Sequence, residues 1–194
     1  VEDAAESLGS FYHGKHTGTL GIAGALSFNG NKTITTGGGG AIITNDKEIA
    51  SKAKHITTTA KVPHRWSFNH DEVGFNYRMP DAQANLALLS LSKVNKNMLT
   101  RHKMCELYNG FIKPEYQMPN NRKAVWVYDM KHNNPDKVVS ELNKRDIVAR
   151  HCFKPLSTQP LFNHWRVSKN ARYYSENVFY VNVDPNEHID IIRK

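Results

Sequence analysis

The sequence predicts an α/β protein, because short strand patterns and helix patterns alternate along its 194 residues. Two short apolar runs, at 24–28 and 41–44, have the length of buried strands and are bounded by turn residues. A helix pattern capped by Asn45 or Asp46 follows as far as Lys54. A polar loop is expected at 57–72, and a long helix from Asp81 to about Tyr108.

The pattern beyond the long helix predicts a second, smaller α/β unit. A strand is expected at 124–130, a helix at 135–144, a strand at 147–153 and another strand at 177–183. We therefore expect two domains. Residues 1–108 would form one domain that includes the long helix as a linker, and residues 109–194 would form a small C-terminal domain.

Composition excludes several classes of protein. The formal charge of +8 and the pI near 9.5 would suit nucleic acid, but the basic residues are scattered and no recognition motif is present. No run of apolar residues reaches the roughly 18 that a membrane helix needs. The two cysteines, Cys105 and Cys152, lack neighbours at metal-ligand spacing. We expect no nucleic-acid partner, no membrane span and no metal site, and a reducing cytoplasm as the location.

A group of polar residues in the first forty positions suggests a site. Asp3 follows an expected strand end, Ser27 lies five residues before Lys32, and four glycines occupy 37–40. Taken singly, these features have ordinary structural explanations: a helix cap, a solvated lysine and a flexible turn. Their order and spacing together carry more information than any one of them.

The motifs together resemble those of the DegT/DnrJ/StrS family of pyridoxal-phosphate-dependent nucleotide-sugar aminotransferases. The matching stretches are 1–9, 18–21, 27–32, 35–40 and the run Gly74-Phe-Asn-Tyr-Arg-Met-Pro80. The resemblance implies fold type I, the fold of aspartate aminotransferase. This chain would supply part of the large domain and a small C-terminal α/β domain. The start at Val1, without an initiator Met, suggests that the family's N-terminal half is absent.

The same resemblance assigns roles in binding pyridoxal phosphate (PLP). Lys32 would be the Schiff-base lysine and would afterwards shuttle the proton. Asp3 would pair with the pyridinium nitrogen, and Ser27 would donate to the phosphate. Asn76 would reach the phosphate bound by a neighbouring subunit, which implies a homodimer with shared active sites. Glu6 occupies the place where relatives have Gln or His near the cofactor's ring oxygen.

Two further residues are candidates for substrate contact. His64 lies in the long loop, although loop histidines are often only solvated. Arg150 stands where relatives have an arginine, although a surface ion pair is an equal explanation. The runs Leu26–Lys32 and Thr57–His64 resemble the branch that serves the bacillosamine and legionaminic acid pathways. That branch would take a UDP-linked 4-keto-6-deoxy amino sugar and L-glutamate.

Two alternatives accompany the aminotransferase hypothesis. Related sugar dehydratases carry His in place of the lysine, so Lys32 favours transamination. The first alternative is a catalytically incomplete fragment that acts only with a partner chain, because the family's N-terminal half supplies part of the cofactor site. The second is a basic nucleic-acid-binding module, which would need a strongly salt-dependent affinity.

Overall fold

A computed structural model describes residues 1–118, 126–162 and 166–183. The chain divides into two compact units, Val1–Met98 and Leu99–Lys194. The division falls inside the helix that was expected to be a linker, and each unit is described by itself below.

Unit 1 contains short strands and two complete helices. The strands are β1 (Glu2–Asp3), β2 (Phe11–Tyr12), β3 (Lys15–His16), β4 (Gly24–Ser27), β5 (Gly40–Ile43), β6 (Lys61–Val62) and β7 (Asn69–His70). The helices are α1 (Lys47–Thr57) and α2 (Asp81–Ser92). Strand β4 lies in the middle of a sheet, parallel to β1 and antiparallel to β5. Strands β2 and β3 form one hairpin, and β6 and β7 form another.

Helix α1 begins where the sequence predicts it. The Asp46 carboxylate accepts hydrogen bonds from the backbone N–H groups of Glu48 and Ile49, at 2.9 and 3.0 Å. These bonds satisfy two N–H groups that have no partner within the helix. The helix continues beyond Lys54 to Thr57, so the predicted loop starts later than expected.

The prediction of a single long helix from Asp81 is wrong in one respect, because the structure has two helices in this region. Helix α2 ends at Ser92, and α3 (Val94–Phe111) begins after Lys93. The Lys93 N–H group bonds to the carbonyl groups of Ser90 and Leu91 rather than to the carbonyl four residues back. This tighter turn interrupts the α-helical ladder. Pro80 occupies the N-cap position of α2, directly before its first turn.

Unit 2 is a three-stranded antiparallel sheet packed against helices. Its elements after α3 are β8 (Val127–Lys131), α4 (Pro135–Lys144), β9 (Ala149–His151), α5 (Lys169–Asn177) and β10 (Val178–Asn182). Strand β10 pairs with both β8 and β9. The core is formed by Met104, Cys105, Tyr108, Tyr128, Met130, Val139, Ala149, Phe179, Val181 and Val183. The prediction of a second α/β unit is confirmed, although α5 was not predicted. Residues 124 and 125 of the expected strand lie outside the described residues.

No helix within the described parts of the chain combines the length and the apolar character needed to cross a membrane.

The register of β4 and β5 depends on a glycine at the start of β5. Gly40 pairs with Ser27, and a Cβ atom added to Gly40 would lie 2.4 Å from the carbonyl oxygen of Leu26. A carbonyl in the middle of the sheet cannot move without breaking the strand pairing. Position 40, directly after the lysine-bearing segment, therefore has room only for glycine.

We predict that Gly40→Ala lowers the free energy of unfolding by about 1–3 kcal/mol, because the added methyl group overpacks the strand pair. Gly38→Ala is the matched control, since an added Cβ at Gly38 meets nothing within 4 Å. Urea denaturation of both variants measures the difference. Equal midpoints for the two variants would contradict the spatial explanation.

Candidate active site

Lys32 lies in a compact segment between β4 and β5, residues 28–39, which we call the lysine loop. The backbone closes this loop: the Phe28 N–H group donates to the Gly39 carbonyl, and the Thr36 N–H group donates to the Phe28 carbonyl, each at 3.0 Å. The side chains of Phe28 and Ile34 are buried, at 7% and 3% exposure. These contacts fix the loop on both sides of Lys32.

The amine of Lys32 contacts Glu6. Lys32 Nζ lies 3.0 Å from Glu6 Oε1, and the exposed fractions of the two side chains are 12% and 45%. Glu6 belongs to the turn after β1, so the pair connects that turn to the lysine loop. The structure thus brings together two of the residues that the sequence singled out.

Asp3 and Ser27 project from the same face of the sheet. Asp3 pairs with Ala25 in the parallel β1–β4 ladder, and Ser27 is two residues beyond Ala25 on β4. Side chains two residues apart on a strand share a face. With about 3.3 Å per residue along a strand and about 4.8 Å between strands, their Cα atoms lie roughly 8 Å apart. The residue between them on that face, Ala25, is small and exposed.

The polar groups of Asp3 and Ser27 are held by local backbone contacts. Asp3 Oδ1 accepts from the Ala5 N–H group at 3.1 Å, and Ser27 Oγ accepts from the Asn29 N–H group at 3.3 Å. The Ser27 hydroxyl proton is free of this bond and can be donated to another group. The ends of β1 and β4 thus carry a carboxylate and a hydroxyl donor, and the loop that follows β4 carries an amine.

Glu2 holds β1 in place, a role that sequence reasoning missed. Its carboxylate accepts from the backbone N–H groups of Gly18, Leu20 and Gly21, at 2.7, 2.6 and 2.6 Å. The hydrogen bonds from Gly21 and Gly18 lower the pKa of Glu2 below its ordinary value. Its partners lie 16 to 19 residues further along the chain, so the sequence around Glu2 held no signal for this role.

Asn76 is oriented by Arg78, which sequence reasoning also missed. Arg78 donates from Nη1 to Asn76 Oδ1 at 3.1 Å and from Nη2 to the Thr58 carbonyl at 2.8 Å. Asn76 also forms an isolated antiparallel bridge with Thr58. With its oxygen engaged by Arg78, the Asn76 amide keeps its two N–H donors for a ligand.

The start of the Gly74 motif is fixed by close backbone contact. Thr59 and Ala60 have positive φ angles of 72° and 49°. A Cβ atom on Gly74 would lie 2.4 Å from the Ala60 nitrogen. Glycine is therefore required where the chain returns from the β6–β7 hairpin.

His64 lies at the β6–β7 hairpin and is held by its own turn. Its Nδ1 accepts from the backbone N–H groups of Trp66 and Ser67, at 3.1 and 3.0 Å. A nitrogen that accepts two N–H groups carries no proton, so the neutral imidazole has its proton on Nε2. His64 therefore has a specific structural role, and its Nε2–H group is a potential donor to substrate.

Arg150 belongs to unit 2 and is described separately from the lysine loop. It lies on β9, exposed, opposite Tyr180 of β10. The structure does not test whether Arg150 contacts substrate, and this assignment stays a prediction.

Three side chains that could bind a metal come together beside α1. His55 Nε2 donates to Asp71 Oδ1 at 2.6 Å and lies 3.5 Å from Glu72 Oε1. Lys52 Nζ lies 2.6 Å from both oxygens of Glu72 and supplies the positive charge. The hydrogen bond from His55 lowers the pKa of Asp71. These contacts form an ion-pair cluster, and the expectation of no metal stays a prediction.

Several solved structures have the same fold as this chain. The chain superimposes on Helicobacter pylori PseC, an aminotransferase involved in the biosynthesis of pseudoaminic acid, with a TM-score of 0.89 and 24% identity. It superimposes on the PLP form of the sugar aminotransferase Spr1654 from Streptococcus pneumoniae with a TM-score of 0.86 and 18% identity. The alignments cover 98% of this chain and 56% and 54% of those chains. The predicted fold type I is confirmed.

The chain belongs to the DegT/DnrJ/EryC1/StrS aminotransferase family, whose model matches residues 1–187. EpsN of Bacillus subtilis, named as a pyridoxal phosphate-dependent aminotransferase, is 37% identical over 172 residues. GDP-perosamine synthase of Caulobacter vibrioides is 34% identical over 177 residues. Each match covers 84% of this chain but 44% and 47% of the relative, so the chain spans about half the length of these proteins.

PLP is the cofactor of this family, and the described residues fit it. Asp3 could provide a carboxylate for the ring nitrogen, Ser27 a donor for the phosphate, and Lys32 an amine for the aldehyde carbon. The open face around Ala25 leaves room for a flat ring between the first two groups. These assignments of individual residues remain proposals.

We predict that Glu2→Gln lowers the thermal stability at neutral pH, because the carboxylate that accepts three N–H groups is lost. The pKa of Glu2 is lower in the folded protein than in the unfolded chain. Its ionised carboxylate therefore stabilises the fold above the unfolded-state pKa, and this stabilisation is lost as pH falls through the folded-state pKa. The difference in Tm between wild type and variant should therefore shrink as pH falls below about 4.5. Melting curves between neutral and acid pH measure it.

The exposed Glu115 provides the control, as Glu115→Gln. A difference between wild type and Glu2→Gln that stays constant across the pH range would show that the carboxylate's charge is not responsible.

Proposed function

We propose that this chain carries the lysine-bearing part of a PLP-dependent nucleotide-sugar aminotransferase. The observation that carries the proposal is the contact of Lys32: the lysine loop, which follows Ser27 at the end of β4, brings the Lys32 amine to 3.0 Å from Glu6, in the turn that follows Asp3 at the end of β1. A carboxylate, a hydroxyl and an amine in this arrangement meet the main needs of the cofactor. The chain's membership of the family supports the same conclusion.

The residues of this chain would act in a defined order. When bound, PLP supplies an electrophilic carbon and an electron-withdrawing ring. Asp3 would keep the ring nitrogen protonated, since a nearby opposite charge favours the charged form. Ser27 would hold the phosphate, so that the reacting carbon stays in reach of Lys32. Lys32 would first hold the cofactor covalently. Its freed amine would then move the proton between substrate and cofactor as base and acid.

Glu6 has a supporting role in this proposal. Its carboxylate accepts from Lys32 Nζ, which places the amine at the turn after β1. We propose that Glu6 lies near the ring oxygen of the cofactor, at one end of the range over which the Lys32 amine would move. An ion pair near the surface contributes little to stability, so this contact would serve to position the Lys32 amine rather than to stabilise the fold.

The proposed substrates are a nucleotide-linked 4-keto-6-deoxy amino sugar, with UDP as the nucleotide, and L-glutamate as amino donor. The names of relatives include both a GDP-perosamine synthase and, from Campylobacter jejuni, a UDP-4-amino-4,6-dideoxy-N-acetyl-beta-L-altrosamine transaminase. These names support a nucleotide-linked amino sugar. The product would enter surface polysaccharide or glycan synthesis, and the reaction would take place in the cytoplasm.

We further propose a homodimer in which Asn76 donates to the phosphate in the partner's site. Arg78 leaves the Asn76 amide donors available for such a contact. Helix α2 also exposes a set of large apolar side chains: Leu86, Leu88, Leu89 and Leu91. Large apolar side chains left exposed on a helix are typical of a protein interface and support the dimer.

A second candidate is a chain that is catalytically incomplete without further sequence or a partner chain. The specific observation that favours it is coverage, since the chain spans 44% and 47% of the relatives above. In this case the Lys32 site would bind PLP weakly until the remaining contacts were supplied.

We predict that the purified chain, mixed with PLP and then separated from unbound PLP, shows a visible absorbance band in wild type and none in Lys32→Ala, because Lys32 is the amine proposed to attach the cofactor. Glutamate should then bleach the band. Lys47→Ala, which removes an exposed lysine from α1, is the control and should behave as wild type.

Identical spectra for wild type and Lys32→Ala, both with a band, would contradict the role of Lys32. Absence of the band from both would favour the incomplete chain.

A further inference from the structure

The dipeptide Asn-Gly occurs twice in the sequence, and one copy lies inside the lysine loop. Gly30 of that copy, Asn29–Gly30, stands two residues before Lys32. The other copy, Asn109–Gly110, lies near the end of α3. An asparagine before glycine is prone to lose its side-chain amide, because glycine has no Cβ atom to shield its backbone nitrogen from the asparagine side chain. The surroundings of each copy decide whether this reaction proceeds.

The nitrogen that would attack in the lysine loop is open to solvent. Asn29 and Gly30 are both exposed, at the start of a turn that the Lys32 N–H group closes by donating to the Asn29 carbonyl at 3.0 Å. No group in the described part of the chain accepts a hydrogen bond from the Gly30 N–H group. A Cβ atom added to Gly30 would meet nothing within 4 Å. Attack by this nitrogen therefore breaks no backbone hydrogen bond.

The Asn29 side chain is held by one long contact. Its Nδ2 lies 3.4 Å from Oδ1 of the exposed Asn31, beyond the usual length of a protein hydrogen bond. The Asn29 N–H group donates to Ser27 Oγ at 3.3 Å, which holds the backbone but not the amide. The amide can therefore rotate towards the Gly30 nitrogen at little cost in free energy.

The copy in α3 is held by contacts that the lysine loop lacks. Asn109 Oδ1 accepts from the Tyr128 hydroxyl at 2.6 Å, and the Asn109 carbonyl accepts from Gln117 Nε2 at 3.0 Å. Gly110 belongs to the helix, where its N–H group donates to the carbonyl four residues back. Attack by Gly110 would require the helix to open locally. This copy is therefore a comparison within the same molecule.

We propose that Asn29–Gly30 is a site of spontaneous deamidation, and that the reaction displaces Lys32 and so limits the lifetime of the lysine loop. The Gly30 nitrogen forms a bond to Asn29 Cγ, and the bond from Cγ to the side-chain nitrogen breaks. Ammonia leaves with the proton that the Gly30 nitrogen has lost, and a succinimide ring remains. One water molecule then opens the ring on either side, which gives aspartate or isoaspartate.

Both products change the surroundings of Lys32. Aspartate adds a carboxylate to the turn that ends at the lysine. Isoaspartate also inserts an additional carbon atom into the main chain, so the carbonyl that accepts from the Lys32 N–H group is displaced. The turn then opens, and Lys32 moves relative to the buried Phe28. The deamidation follows from the loop alone, whereas its effect on cofactor attachment rests on the proposed function.

The test incubates the purified chain at neutral and at mildly alkaline pH and follows its peptides by mass spectrometry. We expect the peptide with Asn29 to gain the mass that accompanies replacement of an amide by a carboxyl group. An isoaspartyl methyltransferase should label the same peptide. The rate should rise with pH, because the attacking nitrogen must lose its proton. The peptide with Asn109 should react about tenfold more slowly or less, since local opening of the helix costs at least about 1.4 kcal/mol.

Gly30→Ala separates the local geometry from the composition of the loop. The added methyl group shields the nitrogen, and the structure has space for it. This variant should slow the reaction at Asn29 by about tenfold or more. Gly38→Ala lies in the same loop with equal space and is the matched control, which should react like wild type. Melting curves identify any variant that fails to fold.

The displacement of Lys32 is measured by its reactivity, without the cofactor. Its side chain is 12% exposed and lies 3.0 Å from Glu6. After deamidation, an amine-reactive reagent should label Lys32 severalfold faster, while labelling of the exposed Lys47 stays unchanged. Asn29→Asp adds the charge without the additional carbon atom, so its Lys32 should react more like that of fresh wild type. The PLP band of incubated wild type should fall as isoaspartate accumulates.

Equal rates at Asn29 and Asn109 would overturn the deamidation site, as would an unchanged rate at Asn29 in the folded Gly30→Ala variant. Unchanged labelling of Lys32 in the isoaspartate form would overturn the displacement. Failure of fresh wild type to bind PLP, together with deamidation at Asn29 and faster labelling of Lys32, would reject the aminotransferase proposal but keep the deamidation site.

Discussion

The backbone of Phe28 is the point on which the arrangement of the lysine loop depends. Its N–H group and its carbonyl each close one side of the loop, and the Thr35 hydroxyl donates to the same carbonyl at 3.0 Å. Burial of the Phe28 ring keeps this backbone in place. Because the loop is closed at its base, Lys32 can lie at a defined position although the segment has no regular secondary structure.

Unit 1 is organised more by polar contacts to backbone than by a large apolar core. Its buried apolar residues are mostly small, as at Ala4, Ala23, Ala60 and Ala87. Glu2 and Arg78 instead connect segments that are distant in sequence through hydrogen bonds to backbone or amide groups. Such contacts are directional, so they fix the positions of functional groups more strictly than apolar packing would.

The sequence predicted the regular elements better than the contacts between them. The motif around Lys32 and the cap at Asp46 carry local signals, and the structure has β4, β5 and α1 near the expected positions. The sequence around Lys93 contains no Gly or Pro that would predict the break, and α5 is only nine residues long, with Ala171, Tyr173 and Tyr174 as its apolar or aromatic residues. The Glu2 contact spans 16 to 19 residues, so no local pattern could reveal it.

The two left-handed residues at Thr59 and Ala60, closed by Gly74, have a consequence for how such a protein can vary. They anchor the chain where it leaves α1 and where it returns towards Asn76. The segment between these anchors can therefore change length or composition without disturbing either end. A family that kept these anchors could exchange one hairpin for another while the lysine loop stayed where it was.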